Sequence, residues 1–235
     1  EPPLQEALSD KDWRVAIVAM EVLLQKRELA KVLPFLRELL FAPAPESRIA
    51  VLKWLQNLAK TNSKLWKMRV TLSAAYGLPK TSQALGAFVI DWARILLFDD
   101  VKDVRDALLQ MVASVLRRDP SLALHQGLSF PSPFVRHTAR KLLSQASSLS
   151  LLRRALRSSS SLRERSRAVL LLGETCGRGT LPLLKRIIQK DRSSVVRFHG
   201  AFALSRLGRP SPSTRRWLKQ QARRESHSRV RQALR

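Results

Sequence analysis

Asp191-Arg192-Ser193-Ser194-Val195-Val196-Arg197-Phe198-His199-Gly200-Ala201-Phe202-Ala203-Leu204-Ser205-Arg206-Leu207-Gly208 is the stretch that decides the fold, because the arginine within it recurs. Aligning Val104-Arg105-Asp106-Ala107, Val135-Arg136-His137-Thr138-Ala139, Glu164-Arg165-Ser166-Arg167-Ala168 and Val230-Arg231-Gln232-Ala233 on Arg197 places arginines at 105, 136, 165, 197 and 231, at intervals of 31, 29, 32 and 34 residues. Looser copies stand at Trp13-Arg14-Val15-Ala16 and Ser47-Arg48-Ile49-Ala50, 34 residues apart. The 57 residues from Arg48 to Arg105 leave room for one degenerate unit near 70–80, which makes seven or eight units in all. A period of this length is the signature of a repeat architecture.

Each clear unit reads as two helices. The first opens on acidic residues, as in Asp99-Asp100-Val101-Lys102-Asp103, where carboxylates favour the positive end of the helix dipole. It continues with apolar residues at helical spacing: Val104, Ala107, Leu108, Met111, Val112 and Val115. Small residues such as Ala107, Ala139, Ala168 and Ala201 permit close approach of a paired helix. After a break, such as Gly173–Gly179 or Gly208–Pro212, a second helix starts behind the N-cap candidates Thr180 and Ser213, with Pro182 early in its first turn. There is no sustained period-2 alternation and no Asn-Gly or Asp-Gly turn, so strands are not expected.

The stretches Leu170-Leu171-Leu172-Gly173-Glu174, Thr180-Leu181-Pro182-Leu183-Leu184 and the opening 191–208 segment resemble the HEAT-repeat family, in particular the short HEAT-like units first described in phycobilisome lyases. The resemblance is good over 98–235, weaker over 4–56 and poor over 57–97. It implies an all-α, right-handed α-solenoid of about seven or eight two-helix repeats, with degenerate repeats in 1–97 continuing into clear, strongly basic ones in 98–235. It also implies that the repeat arginines pair with turn aspartates, for which Asp99, Asp100 and Asp191 are placed. The physics agrees: a two-helix unit of about 30 residues buries its apolar face only by stacking on its neighbours.

Composition narrows the function. Forty-three Lys+Arg against 18 Asp+Glu give the 235 residues a net charge of +25. The imbalance is concentrated: residues 1–117 hold 17 basic and 13 acidic side chains, whereas 118–235 hold 26 and 5. Such an excess points to a polyanionic partner. A single cysteine, Cys176, excludes internal disulfides and cysteine-based zinc sites. The longest apolar run, Gly86–Phe98, is interrupted by Asp91 and Arg94 and is no membrane span.

The cations fall in register. Twelve residues before Arg165, Arg197 and Arg231 stand Arg153, Lys185 and Lys219, and eleven before Arg48 stands Arg37. Beside them are Arg154 and Arg186; one turn later come Arg157, Gln189 and Arg223, then Ser158, Lys190 and Arg224. These share one helix face, opposite Leu181, Leu184, Ile187 and Ile188. Arg215, Lys219 and Arg223 stand opposite Trp217, Leu218 and Ala222 in the same way. In HEAT-type solenoids the second helix usually lines the concave surface. The resemblance therefore places Arg153, Arg154, Arg157, Lys185, Arg186, Lys190, Arg215, Lys219 and Arg223 in a ladder along a basic groove, with rungs about 10 Å apart. Any one such face alone is an ordinary solvated surface; repetition over three helices with almost no compensating acid sets this one apart. The first unit has Glu38 where the later one has Arg186, so the ladder is local to the C-terminal half.

Other features read as structure rather than chemistry. The five tryptophans, Trp13, Trp54, Trp66, Trp92 and Trp217, are packing residues, with Trp66 the best candidate for stacking on a base. HEAT-like DNA glycosylases hold a damaged nucleotide with tryptophans and an aspartate, but Asp91-Trp92 is the only adjacent Asp/Trp pair here, so that carry-over fails. Gly173–Thr180 lacks the Lys-Ser/Thr ending of a phosphate loop, and Asp99, Asp100, Asp103 and Asp106 lack EF-hand spacing. His125, His137, His199 and His227 are scattered among units without metal spacing. The expectation is a non-enzymatic scaffold without cofactor. Its partner is a nucleic-acid backbone or an acidic protein, with an anionic membrane surface as a further candidate for the same cations.

Overall fold

The computed structural model describes residues 2–26, 28–61, 69–71, 82–159, 161–175 and 177–234. Among these, α-helices follow in chain order: α1 (Pro2–Leu8), α2 (Trp13–Gln25), α3 (Leu29–Leu40), α4 (Pro45–Thr61), α5 (Leu85–Leu96), α6 (Lys102–Arg118), α7 (Pro120–His125), α8 (Pro133–Leu143), α9 (Leu149–Ser158), α10 (Leu162–Thr175), α11 (Leu181–Lys190), α12 (Ser194–Ser205), α13 (Pro212–Arg224) and α14 (Ser228–Ala233). They fall into seven successive pairs, and the second member of each carries a repeat arginine: 14, 48, 105, 136, 165, 197 and 231. The chain is an all-α repeat protein with one small exception. Where room was left for a degenerate unit, β1 (Arg69–Thr71) pairs antiparallel with β2 (Ser82–Ala84), Val70 opposite Gln83. Three-residue strands are too short for alternation to register as a sequence signal.

By packing, the chain divides into two compact units, Glu1–Leu122 with Ser129–Arg136 and Ala123–Leu128 with His137–Arg235. In the first, α4 and α6 lie side by side, burying Val51, Leu52 and Leu55 with Val104, Leu108, Met111 and Val112. In the second, α10, α12 and α14 pack side by side, and α9, α11 and α13 each pack on the helix that follows. The packing unit therefore begins one helix earlier than the sequence implied: the arginine helix closes its hairpin instead of opening it. Connector length is the reason. Only residues 159–161 join α9 to α10 and 191–193 join α11 to α12, whereas α10 and α11 are separated by a 3-10 turn, Gly177–Thr180.

Closest approach depends on missing side chains. A Cβ on Gly173 in α10 would lie 2.6 Å from Ala203 Cβ in α12, and one on Gly200 would lie 3.0 Å from Ile188 Cγ1 in α11. The apolar strips of α11 (Leu184, Ile187, Ile188) and α12 (Val196, Ala201, Ala203, Leu204) close over these contacts. Of the small residues anticipated at the helix contacts, Ala139, Ala168 and Ala201 are buried and Ala107 is partly exposed.

The repeat arginines close the corners between helices. All but Arg14, which lies 3.8 Å from Asp12, donate to the carbonyl six residues before them: Arg48 to Ala42 (2.6 Å), Arg105 to Asp99, Arg136 to Phe130 (2.9 Å), Arg165 to Ser159 (3.1 Å), Arg197 to Asp191 (3.0 Å) and Arg231 to Glu225 (3.2 Å). Three reach on to a carboxylate in the next corner. Arg48 Nε lies 2.9 Å from Asp99, Arg165 Nε 3.1 Å from Asp191, and Arg197 Nη2 2.8 Å from Glu225. The same acids accept an N–H two residues on, from Val101, Ser193 and His227. The implied pairing thus holds for Asp99 and Asp191. Asp100 contributes only its carbonyl, to Arg105, and Glu225 takes a place the sequence reading left empty. The corner residues after Arg105 and Arg136 are Phe130 and Ser159, and neither arginine has a carboxylate partner among the described residues.

Two measurements test this packing. Gly173→Ala gains about 1 kcal/mol of helix propensity but forces a Cβ onto backbone that cannot turn aside, an overpacking cost of about 1–3 kcal/mol. Its urea midpoint should fall, while Gly179→Ala, which meets nothing within 4 Å, should not lower it; equal midpoints would contradict the close approach. The hydrogen bond from Arg197 holds the Glu225 carboxyl below the ordinary range, opposed by burial and assisted by the His227 N–H. A depressed carboxyl contributes stability above its unfolded pKa of about 4.3 and loses it as pH falls through the lower native value. Glu225→Gln should therefore be less stable at pH 7, with the deficit shrinking on acidification through that window. A deficit independent of pH would count against it.

Candidate polyanion-binding face

The nine cations anticipated as a ladder all lie on α9, α11 and α13, in the second unit. Arg153, Arg154 and Arg157 are exposed on α9 around the buried Leu152 and Ala155. On α11, Arg186 and Lys190 are exposed and Lys185 is half-buried, on the side away from Leu184, Ile187 and Ile188. Arg215, Lys219 and Arg223 are exposed on α13, away from Thr214, Gln221 and Ala222. Each helix presents cations because its apolar residues at three- and four-residue spacing are claimed by the arginine helix beneath it.

Some of these groups are brought together. Lys185 Nζ stands 5.1 Å from the centroid of the Trp217 ring, joining α11 to α13 through a cation–π contact. Lys219 and Arg223 line an open hollow of about 460 Å³ with Arg231. Lys190 lines another, of about 320 Å³, with Arg224 and Gln221. Arg153, Arg154 and Arg157 stand apart on α9, with no side-chain hydrogen bond, ion pair or ring contact to the other six. Arg231, one of the repeat arginines and not one of the nine, donates to the Glu225 and Ser226 carbonyls and also lines the larger hollow.

In the second unit α10, α12 and α14 touch one another directly, with the Gly173–Ala203 contact between α10 and α12, and α9, α11 and α13 each pack on the helix that follows. The cationic helix is thus the first of its hairpin, where the repeat alignment implied the second.

Electrostatically the unit is one-sided. Residues 123–128 and 137–235 hold 24 Lys+Arg and four carboxylates, and each of those four is engaged internally. Glu164 takes His125 Nδ1 at 2.7 Å and the Ser159 hydroxyl at 2.6 Å; Glu174 takes Arg206 at 2.8 Å; Asp191 and Glu225 take Arg165 and Arg197. None of the nine ladder cations has a carboxylate partner among the described residues. Their potentials add without local cancellation, and guanidinium forks suit phosphate oxygens.

The remaining signals fall where structure accounts for them. Trp92 is buried beside Phe88, with ring centroids 6.3 Å apart; Trp13, Trp54 and Trp217 are half-buried. Trp66 and Cys176 lie outside the described residues. No cluster of three or more His, Cys, Asp or Glu suited to a metal occurs among the described residues, and no described helix is long and apolar enough to cross a membrane.

Residues 149–235 match the family model of HEAT repeats, a span that starts with α9 and includes all nine ladder cations. No curated protein matches the chain. A solved structure titled only as an engineered protein is similar over 85% of this chain and 92% of its own, at 14% identity and a TM-score of 0.32, a likeness too slight to carry an inference.

Proposed function

We propose, from the premise that residues 149–235 are HEAT repeats, that this part of the chain is a binding scaffold whose α9–α11–α13 face takes a nucleic-acid backbone. HEAT repeats serve as scaffolds for partners, and the finer reading rests on one observation: every carboxylate of the second unit is consumed in an internal contact, while the ladder cations are left without one. A cationic face of that kind attracts repeated phosphates, with release of their counterions on binding.

The spacing fits a strand. Arg215, Lys219 and Arg223 rise about 6 Å per step along α13. No recognition helix or RNA-binding aromatic motif occurs in the sequence, so contacts go to phosphates and little sequence preference is expected.

The test is fluorescence anisotropy with a labelled duplex of about 20 base pairs. Affinity should fall by orders of magnitude between 50 and 200 mM salt. Arg154→Glu, Arg186→Glu and Lys219→Glu together should weaken binding more than tenfold and flatten the log–log salt slope by roughly three, with helicity unchanged by circular dichroism. Equal affinity and slope in wild type and variant would remove the ladder from the account. Absence of duplex binding by the wild type at 50 mM salt, together with retention of an acidic protein after nuclease treatment, would favour the protein partner.

A further inference from the structure

The opposite layer of the second unit has a different chemistry. Along α12, Val195, His199 and Phe202 lie at four- and three-residue spacing on one face, and Arg206 continues it. Val195 is 45% exposed and Phe202 43%. Counting from the repeat arginines, the matching positions are Arg163, Arg167, Leu170 and Glu174 on α10, and Arg229 and Ala233 on α14. The alignment is physical, because Glu174 and Arg206, equivalent in register, form an ion pair at 2.8 Å across the two helices. Arg163 and Arg229 hold the position of Val195 on the two helices that pack against α12, are exposed, and have no carboxylate partner among the described residues.

We infer that this α10–α12–α14 face is a second docking surface, for a peptide segment of a partner protein that sets a large apolar side chain against Val195 and Phe202 and carboxylates against Arg163 and Arg229. Charge complementarity commits the occupant to acidic chemistry, since among the described residues the one carboxylate at these register positions, Glu174, is already paired with Arg206. The apolar anchor follows from the exposed aliphatic and aromatic pair one helical turn either side of His199. Burial lowers the pKa of His199, which disfavours a third positive charge beside Val195 and Phe202. A peptide fits better than stacked bases. The Arg206 guanidinium lies over the Phe202 ring at 5.4 Å, so one ring face is covered, and Val195 offers no π surface. None of the nine ladder cations belongs to this layer, so the inference stands or falls independently of the polyanion reading.

The experiment is selection of a phage-displayed random 12-residue peptide library on the immobilised whole chain, depleted beforehand on Phe202→Ala, with selected peptides measured by anisotropy at 150 mM salt. The expected peptides carry a large apolar residue with two or more acids. Their affinity should drop at least tenfold in Phe202→Ala and in Val195→Ser, and at least threefold in Arg163→Glu with Arg229→Glu. It should change less than twofold in the triple ladder variant. Both apolar positions are half-exposed, and circular dichroism with thermal melts confirms that the variants fold. Recovery of no Phe202-dependent peptide, or of acidic peptides lacking an apolar anchor, would overturn the inference. So would loss of binding to a labelled 20-residue oligo-dT in Phe202→Ala with binding retained in the ladder variant, since that would make this face a base-stacking platform.

Discussion

The constraint on which the second unit depends is the guanidinium held in each inter-helix corner. An arginine side chain there ties its own helix to the carbonyl six residues back and, where the next corner offers an acid, ties one repeat to the following one. Arg165, 5% exposed, and Asp191 are nearly out of solvent. Replacing such a pair with apolar residues often costs little, whereas removing one partner leaves a buried charge at about 3–5 kcal/mol. The pairs therefore specify which corner meets which, while the apolar strips of α10, α11 and α12 supply the burial.

This has an electrostatic consequence. The carboxylates of the unit are few, and the corners, together with Glu164 and Glu174, use all four. A protein surface normally intersperses both signs, so that fields cancel over a Debye length of about 8–10 Å. Here the acids sit where they fix architecture, and the nine ladder cations have no carboxylate partner among the described residues. The structural role of the acids and the proposed role of the ladder are two sides of one distribution of charge.

Much of the fold was legible because the arginine at 105, 136, 165, 197 and 231 is a fixed ruler and the apolar residues around it keep helical spacing. The phase of the repeat was not. Sequence shows that two helices alternate, but whether Arg197 opens or closes a hairpin depends on the short Asp191–Ser193 connector and on the Arg197 bond to the Asp191 carbonyl. The β1–β2 pair was invisible because six residues carry no periodicity. Glu225 was missed as a corner acid because glutamate stood where aspartate was sought. The α12 face was not legible either, since only packing shows that Val195 and Phe202 remain uncovered among the apolar residues of that helix.

The unit carries two distinct surfaces, one cationic and one mixed aromatic and cationic, for each of which a separate partner chemistry is proposed. The central claim concerns the first. Arginine-selective modification by phenylglyoxal, mapped by peptide mass spectrometry with and without saturating duplex, reads it directly. The account predicts that Arg153, Arg154, Arg186, Arg215 and Arg223 lose reactivity while Arg163 and Arg229 keep theirs. Protection spread evenly over both layers, or confined to Arg163 and Arg229, would contradict it.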